Sequence, residues 1–177
     1  DVISIPDDLA CVGMQSPNFF GEIQDVERLT NLAHENGALS VVHVNPTSLG
    51  LFKAPGGFGV DIVTAEGQPL GVPIAFGGPY VGLFSCKITH IRQMPGRIIG
   101  STKDTKGRVG YALTLQTREQ HIRRERATSN ICTSTQLIAL MVTVYVVTLG
   151  KQGMKEVAQL CYQKAHYAAG EIANVEG

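Results

Sequence analysis

Short apolar runs alternate with one amphipathic segment in the first part of the chain. Ala10–Ser16, Ala38–Val44 and Val60–Ala65 are apolar runs bounded by turn residues, a pattern typical of buried strands. In Glu22–Asn36 apolar residues recur every three or four positions, and Gly37 stands where a left-handed helix end is expected. Strands and a helix in this order predict a parallel α/β sheet.

Further strands and helices are predicted in the second half. Val81–Lys87 reads as a fourth buried strand, and Val109–Leu115 as one arm of a hairpin whose polar tip is Thr102–Arg108. Leu137–Leu149 is uncharged and predicts a buried core helix, because about a dozen apolar residues are too few to cross a membrane. After Gly150, helical spacing predicts a long helix with one buried stripe. The stripe consists of Met154, Val157, Cys161, Ala165, Ala168 and Ile172.

The composition limits the classes of function. Hydrophobic residues make up 44% of the 177 residues, which is enough for a sizeable core. The formal net charge is zero, so any function that needs positive charge must be local. The cysteines show neither CxxC nor zinc-finger spacing, so we expect thiols without a metal site. They are Cys11, Cys86, Cys132 and Cys161.

One stretch, TLQTREQHIRRERATSNICT (Thr114–Thr133), is unusually rich in charge and is followed by an uncharged segment. Its charged or titratable residues are Arg118, Glu119, His121, Arg123, Arg124, Glu125 and Arg126. Two glutamates dilute the charge and few aromatic residues are near, which argues against nucleic-acid binding. A solvated, salt-bridged helix face and a site for carboxylates or phosphate both remain open. Residue types and spacing show no catalytic set.

Four stretches carry a resemblance to a known family. They are QSPNFFGEIQDVERLTNLAHENGALSVVHVNPTSLGLFKAPGGFGVDIV, GVPIAFGGPYVGLFS, MPGRIIGSTKDTKGRVGYALTLQTREQHIRRERATSNICT and GKQGMKEVAQLCYQKAHY. With them the chain resembles the glycine-decarboxylating P protein of the glycine cleavage system, and more narrowly its separate alpha subunit. MPGR (Met94–Arg97) and TREQHIRRERATSNICT are the most specific motifs, and the resemblance covers nearly the whole chain.

The resemblance implies an α/β fold, part of the large domain of a fold-type-I pyridoxal-phosphate transferase. Residues 1–100 are expected to be the C-terminal part of that large domain, and residues 101–126 a hairpin and basic interface segment. Residues 127–177 are expected to form long helices that lead into the small domain. The resemblance also implies that this chain is only part of a subunit.

The family's reaction decarboxylates glycine and transfers the remaining aminomethyl group to the lipoyl arm of the carrier (H) protein. Pyridoxal phosphate acts as the electron sink in that chemistry. The implied partners are therefore a beta subunit, the lipoylated carrier and glycine, without nucleic acid or membrane. A separate alpha subunit suggests the bacterial cytoplasm, and the mitochondrial matrix is the eukaryotic counterpart.

One departure from the family pattern sets the expected role of the chain. In catalytic halves of the family, a His-Lys pair precedes a Pro and a Gly-rich loop, and its lysine forms the Schiff base with the cofactor. Here the pair falls on Gly67–Gln68, and an amide cannot form an imine. No lysine lies between Lys53 and Lys87, and His43 or Asn45 stands where a carboxylate would pair with the pyridine nitrogen. We therefore expect a degenerate half without a cofactor-binding residue, whose partner subunit holds pyridoxal phosphate.

In this reading the basic segment lies at the interface of two large domains and either lines the partner's pocket or only holds the subunits together. The candidate residues are Arg97, Arg118, Glu119, His121, Arg123, Arg124, Thr128, Ser129 and Asn130. The last three are also expected to cap the uncharged helix. Two alternative functions stay open: a structural or regulatory subunit that only stabilises the partner, and a self-sufficient pyridoxal enzyme that acts on another amino acid. A single long chain that contains both halves, with this segment in its first half, also stays open.

Overall fold

The chain divides into two compact units. The computed structural model describes residues 6, 8–116, 119–127, 131 and 135–175. The first unit consists of Asp1–Ser85 and Leu137–Gly177, and the second of Cys86–Gln136. The boundaries predicted at residues 100 and 126 stay predictions.

A four-stranded sheet forms the centre of the first unit. Its strands, β1 (Cys11–Gln15), β2 (Leu39–Val44), β3 (Ile62–Glu66) and β4 (Gly82–Cys86), lie side by side in chain order. β1 and β2 are parallel, as are β2 and β3. Each strand falls inside or within one residue of its predicted run. A core cluster under the sheet contains Val26, Val42, Val44, Val60 and Ala65.

Helix α1 (Val26–Glu35) makes the crossover between β1 and β2, as parallel pairing requires. It begins four residues after the predicted start, because the preceding loop has its own hydrogen bonds. Asn18 Oδ1 accepts from the backbone N–H of Glu22 at 3.0 Å, and the Asp25 side chain caps the helix by accepting from the N–H of Arg28. The predicted left-handed end is confirmed, since Gly37 has φ +70°.

A buried carboxylate joins α1 to the sheet. Asp61, immediately before β3, is 4% exposed, and its Oδ2 accepts from the backbone N–H of Ser40 at 2.9 Å. The same oxygen lies 2.7 Å from His34 Nε2, near the end of α1. His34 thus has a structural contact within the fold.

The second unit contains a hairpin and a short basic helix. β5 (Ile98–Lys103) and β6 (Val109–Thr114) are antiparallel, which confirms the predicted hairpin. Its tip is ordered by Asp104, whose carboxylate accepts from the backbone N–H groups of Lys106 and Arg108 at 2.8 and 2.9 Å. After the hairpin come α2 (Gln120–Arg123) and a 3-10 turn, Arg124–Arg126.

The last element is the long helix α3 (Gln136–Ala173), which contains a break at Gly150 with φ 60° and ψ −173°. The two helices predicted on either side of Gly150 are therefore present, but they meet without a loop. α3 begins at Gln136, and the residues expected to cap it, Thr128, Ser129 and Asn130, lie outside the described residues, so that expectation stays a prediction.

The predicted burial of these helices is mostly wrong in this structure. Before the break, Ile138 and Val142 pack against Leu70 and Val72, whereas most of the other large apolar side chains are more than a third exposed. After the break, the predicted stripe is exposed from Cys161 onward. Periodicity identifies an apolar face, but it does not say whether another element covers that face.

By length and composition alone, α3 could cross a membrane, with a mean hydropathy of 1.5 over its most apolar window. The break at Gly150 leaves residues 136–149 as the continuous apolar helix, which is shorter than the roughly 20 residues that a spanning helix needs. The absence of a membrane partner stays a prediction.

Candidate functional site

The carboxyl ends of the parallel strands form the first candidate region, because ligands of open α/β sheets bind beyond these ends. Gln15, His43 and Thr64 are in register on β1, β2 and β3 and share one face at this edge. His43 Nδ1 lies 3.1 Å from Thr64 Oγ1. His43 is exposed and Thr64 is partly buried. These three residues form a row of polar side chains without a carboxylate, and Glu66 ends β3 at the same edge.

Asn45 is the other residue predicted to stand near the cofactor's pyridine nitrogen. Its side chain forms a hydrogen bond within its own loop. Its Oδ1 accepts from the backbone N–H of Thr47 at 3.0 Å and caps the 3-10 turn Pro46–Gly50. Neither the His43 imidazole nor the Asn45 amide supplies the negative charge that would keep a pyridine nitrogen protonated. The residues found here do not fit that part of a pyridoxal phosphate site.

Gln68 lies two residues after the end of β3, and its side chain is partly buried. Its Nε2 donates to the carbonyl oxygen of Val72 at 2.7 Å, and its backbone N–H donates to Glu66 Oε1 at 3.1 Å. The amide therefore holds the 68–72 loop together. An amide nitrogen is not nucleophilic, so this position does not fit covalent attachment of the cofactor.

The Gly-rich loop between β3 and β4 contains a tight turn in which Gly78 N–H donates to the Ala75 carbonyl at 3.2 Å. Ile74 and Phe76 in this loop are 86% and 109% exposed. The backbone has positive φ at Phe76 as well as at Gly77 and Gly78. An exposed phenylalanine with φ 43° is costly in an isolated chain, and such strain is typical of sites that contact something else.

The basic segment of the second unit was the other predicted site. His121 and Arg123 lie on α2, Arg124 begins the following turn, and all three are exposed. Arg124 has φ +53°, which is unusual for a residue with a side chain. Glu119 is partly buried and its carbonyl accepts from the N–H groups of Ile122 and Arg123 at 3.0 and 2.8 Å.

The remaining predicted residues are placed only in part. Arg97 is exposed and directly precedes β5. Arg118, Thr128, Ser129 and Asn130 lie outside the described residues. Within the described ranges, His, Cys, Asp and Glu form no group of three that could hold a metal ion.

The two units carry opposite charge, a feature that the zero net charge of the whole chain conceals. The second unit has ten Lys and Arg against three Asp and Glu, a formal charge of +7, and the first unit has the balancing −7. The sequence analysis identified the densest cluster of positive charge, at residues 118–126, but it did not show that the excess of positive charge extends over the whole second unit. The unit boundary, which follows from the fold, was the missing information.

A cavity of about 510 Å³ lies beside β1, lined by Leu9, Met14, Gln15, Leu29 and Leu32 among others. It is largely apolar and lies between the edge strand and α1, away from Gln68. Sequence reasoning did not predict it, because an apolar residue that lines a cavity has the same pattern as one that fills a core.

A parallel sheet with a crossover helix defines an α/β domain, the class of fold in which ligands bind beyond the carboxyl ends of the strands. The sequence model of the glycine cleavage system P-protein matches residues 2–177. The chain belongs to this family, which is pyridoxal-phosphate dependent. The resemblance found in the sequence motifs is thereby confirmed.

Relatives with assigned names point to a subunit. A probable glycine dehydrogenase (decarboxylating) subunit 1 from Chlorobium luteolum is 55% identical over 97% of this chain and 38% of its own length. The protein of the same name from Desulfitobacterium hafniense is also 55% identical, over 96% of this chain and 38% of its own length. This chain thus spans well under half the length of these relatives.

A solved structure agrees with the sequence matches. The crystal structure of a glycine decarboxylase (P-protein) of the glycine cleavage system, in inhibitor-bound form, superposes with a TM-score of 0.94 at 42% identity. The match covers 100% of this chain and 40% of that one. The predicted fold class, part of a pyridoxal-phosphate transferase large domain, is confirmed.

Proposed function

We propose that the chain is part of subunit 1 of a glycine decarboxylase, which decarboxylates glycine and passes the aminomethyl group to the lipoyl arm of a carrier protein. Support comes from the family match over residues 2–177 and from relatives whose name is glycine dehydrogenase (decarboxylating) subunit 1. The name subunit 1 implies a second subunit, and we assign the residue that binds the cofactor covalently to that second subunit.

Gln68 carries this assignment. Its side-chain amide is not nucleophilic and donates to the Val72 carbonyl at 2.7 Å. No lysine occurs between Lys53 and Lys87, so the loop after β3 has no amine to offer. With Gln68 and His43 at these two positions, neither the amine nor the carboxylate expected to hold the cofactor is present there. When bound to the partner, pyridoxal phosphate supplies the electron sink for loss of the carboxylate.

The contribution of this chain is then at the interface. His121, Arg123 and Arg124 are exposed cations, or potential cations, in a unit of net charge +7. Positive potential of this kind suits carboxylate and phosphate groups in a neighbouring pocket. The same residues are also suited to hold the two subunits together.

Reconstitution tests the proposal. Full-length subunit 1 and subunit 2 are prepared separately, and exchange of labelled carbon dioxide into glycine is measured for each alone and for the mixture with lipoylated carrier. We expect exchange only in the mixture. After borohydride reduction, mass spectrometry should find the pyridoxyl group on subunit 2 alone. A reduced adduct on any residue of this chain would falsify the assignment.

A purely structural subunit is the second candidate, favoured by the internal hydrogen bonds that occupy the Gln68 and Asn45 side chains. If the chain is purely structural, subunit 2 keeps full turnover when it is paired with a variant of this chain that lacks the exposed cations. The rate per assembled complex separates the two functions, because only a contribution to the pocket lowers it.

For location, we propose an aqueous compartment, the cytoplasm in bacteria or the mitochondrial matrix in eukaryotes, without a membrane or nucleic-acid partner. The break of α3 at Gly150 supports the absence of a spanning segment. Fractionation of cells that express the full-length tagged subunit tests this, and recovery in the membrane pellet after a salt wash counts against it.

A further inference from the structure

The C-terminal end of α1 places Asn36 directly before Gly37, the one Asn-Gly dipeptide in the sequence. An asparagine before glycine is chemically labile, because glycine has no side chain to keep its backbone nitrogen away from the neighbouring amide. Every other asparagine precedes Phe, Leu, Pro, Ile or Val, whose side chains hinder that approach. The most labile amide of the chain therefore lies at this helix end.

The fold itself requires the glycine. Gly37 has φ +70°, since the chain leaves α1 through the left-handed region, which costs glycine little. Gly37 N–H donates to the His34 carbonyl at 3.0 Å. Ala38 N–H donates to the Ala33 carbonyl at 2.9 Å. These two bonds form a Schellman cap, so the labile dipeptide is a consequence of how the helix ends.

The side chain of Asn36 is held at the same place. Its Nδ2 donates to the Leu32 carbonyl at 2.8 Å. The backbone N–H of Asn36 donates to Ala33 instead, at 3.1 Å, so the side-chain amide satisfies a carbonyl that regular helical bonding would have used. All these contacts lie within residues 32–38, and they do not depend on which other part of the subunit covers this helix end.

Deamidation needs both groups that the cap immobilises. The Gly37 nitrogen loses its proton and attacks Cγ of Asn36, which closes a succinimide ring, and the Cγ–Nδ2 bond breaks to release ammonia with a proton from water. Water then opens the ring at either carbonyl and leaves aspartate or isoaspartate. Ring closure requires the Gly37 nitrogen to eclipse Cβ of Asn36, whereas at ψ 13° it nearly eclipses the backbone nitrogen of Asn36. The peptide must rotate first, and rotation breaks the Schellman bonds.

We propose that Asn36 is a site of spontaneous deamidation which the Schellman cap of α1 keeps closed, and that reaction there removes the cap irreversibly. The rate in the folded subunit is then the rate in an unfolded chain multiplied by the fraction of molecules in which the helix end is open. This inference is independent of the proposed function, because it concerns the chemistry of the helix end alone.

The product cannot restore the cap. A carboxylate has no proton to donate to the Leu32 carbonyl, and it places negative charge at a helix C-terminus, where the macrodipole is unfavourable. Isoaspartate also adds a methylene group to the main chain, which changes the spacing of the donors in the turn. Since β2 begins at Leu39, immediately after the cap, the change reaches the connection between α1 and the sheet.

Ageing of full-length subunit 1 tests the proposal. Mass spectrometry of the peptide that contains Asn36 measures deamidation, and an isoaspartyl methyltransferase labels isoaspartate. A synthetic peptide of residues 31–41 gives the rate in an unfolded chain. We expect the folded subunit to react at least about tenfold more slowly, by the same factor as hydrogen exchange at the Gly37 amide, because one opening permits both. Equal deamidation rates in subunit and peptide would show that the cap does not close the site.

A variant that loosens the cap tests the route. Ala33→Gly weakens the last turn of α1 and leaves the Asn-Gly pair unchanged. Glycine favours opening of a helix, so deamidation should accelerate about three- to tenfold. Ala169→Gly makes the same change at an exposed position of α3 and should leave the rate unaltered. If Ala33→Gly accelerates hydrogen exchange at Gly37 but not deamidation, the reaction does not pass through cap opening and the inference is wrong.

A second pair of variants tests the effect of the product. Asn36→Asp places a carboxylate at the cap, and Asn31→Asp adds the same charge at an exposed position within α1. We expect faster hydrogen exchange at Gly37 and Ala38, and a lower unfolding temperature, in the first variant and not in the second. If exchange at Gly37 is the same in both, deamidation does not remove the cap and the proposed consequence is overturned.

Discussion

His34 Nε2 lies 2.7 Å from Asp61 Oδ2, and this contact joins α1 to the residue before β3. The carboxylate is buried while the imidazole is partly exposed. The same oxygen also accepts from the backbone N–H and the hydroxyl of Ser40, at 2.9 and 3.3 Å, which ties β2 into the network. A helix and two neighbouring strands therefore share one acceptor.

Replacing this acceptor should destabilise the first unit. Asp61→Asn keeps the shape but removes the charge, so we expect a loss of about 1–3 kcal/mol, the usual cost of disturbing buried hydrogen bonds. Urea unfolding of the full-length subunit measures it. Asp25→Asn is the control, because asparagine caps a helix about as well as aspartate and the site is exposed. Equal stability of the two variants would contradict the structural role of Asp61.

Gly71 should tolerate no side chain. It has φ +86°, and a Cβ there would lie 2.5 Å from Tyr145 Cδ2 on α3. We expect Gly71→Ala to cost about 2–5 kcal/mol, because backbone strain and overpacking add. Gly59→Ala isolates the strain, since Gly59 has φ +77° with open space around it, and should cost about 1–2 kcal/mol. Thermal unfolding compares the pair; a similar loss in both would mean that α3 can move away from the loop.

The hairpin tip should respond to acid. The backbone N–H of Arg108, followed by its side chain, holds the pKa of the Asp104 carboxyl below its ordinary value of 3.8. A carboxyl with a lowered pKa stabilises the folded form fully above 3.8 and loses that contribution as pH falls through the folded value. Amide hydrogen exchange in the tip, at Gly107 and Arg108, should therefore accelerate relative to the rest of the chain at such pH.

Asp104→Asn removes that dependence. The variant should show the faster tip exchange already at neutral pH and converge with the unaltered protein in acid. A pH profile that is unchanged by the substitution would show that Asp104 does not order the tip.

The basic segment should show whether it holds subunits together or reaches the pocket. The double variant Arg123→Ala with Arg124→Ala removes two exposed cations. A pocket role predicts normal assembly with turnover reduced roughly 10- to 100-fold, as for loss of a charged group near a reaction centre. A holding role predicts weaker assembly and normal turnover per complex. Sedimentation together with carbon dioxide exchange distinguishes them, and Lys164→Ala on α3 is the control.

The sequence located the strands, the crossover helix and the hairpin, because alternation of apolar runs with Gly, Pro and Asn follows directly from backbone geometry. Gln68 was singled out through the resemblance to the family, because only the family pattern says where a lysine is expected. The start of α1 was predicted too early because Asn18 and Asp25 use their side chains in a loop and a cap, and propensity does not report that competition.

The tertiary structure decided which apolar side chains are buried and which residues distant in the chain lie next to each other. Leu140 and Ile138 have the same apolar character, yet Leu140 is 58% exposed and Ile138 is 8% exposed, because only one side of α3 meets the loop that carries Leu70 and Val72. Likewise the register of β5 on β6 places Ile99, Tyr111 and Leu113 on one open face. Burial and adjacency arise from residues distant in the chain, so a local pattern determines the element but not its neighbours.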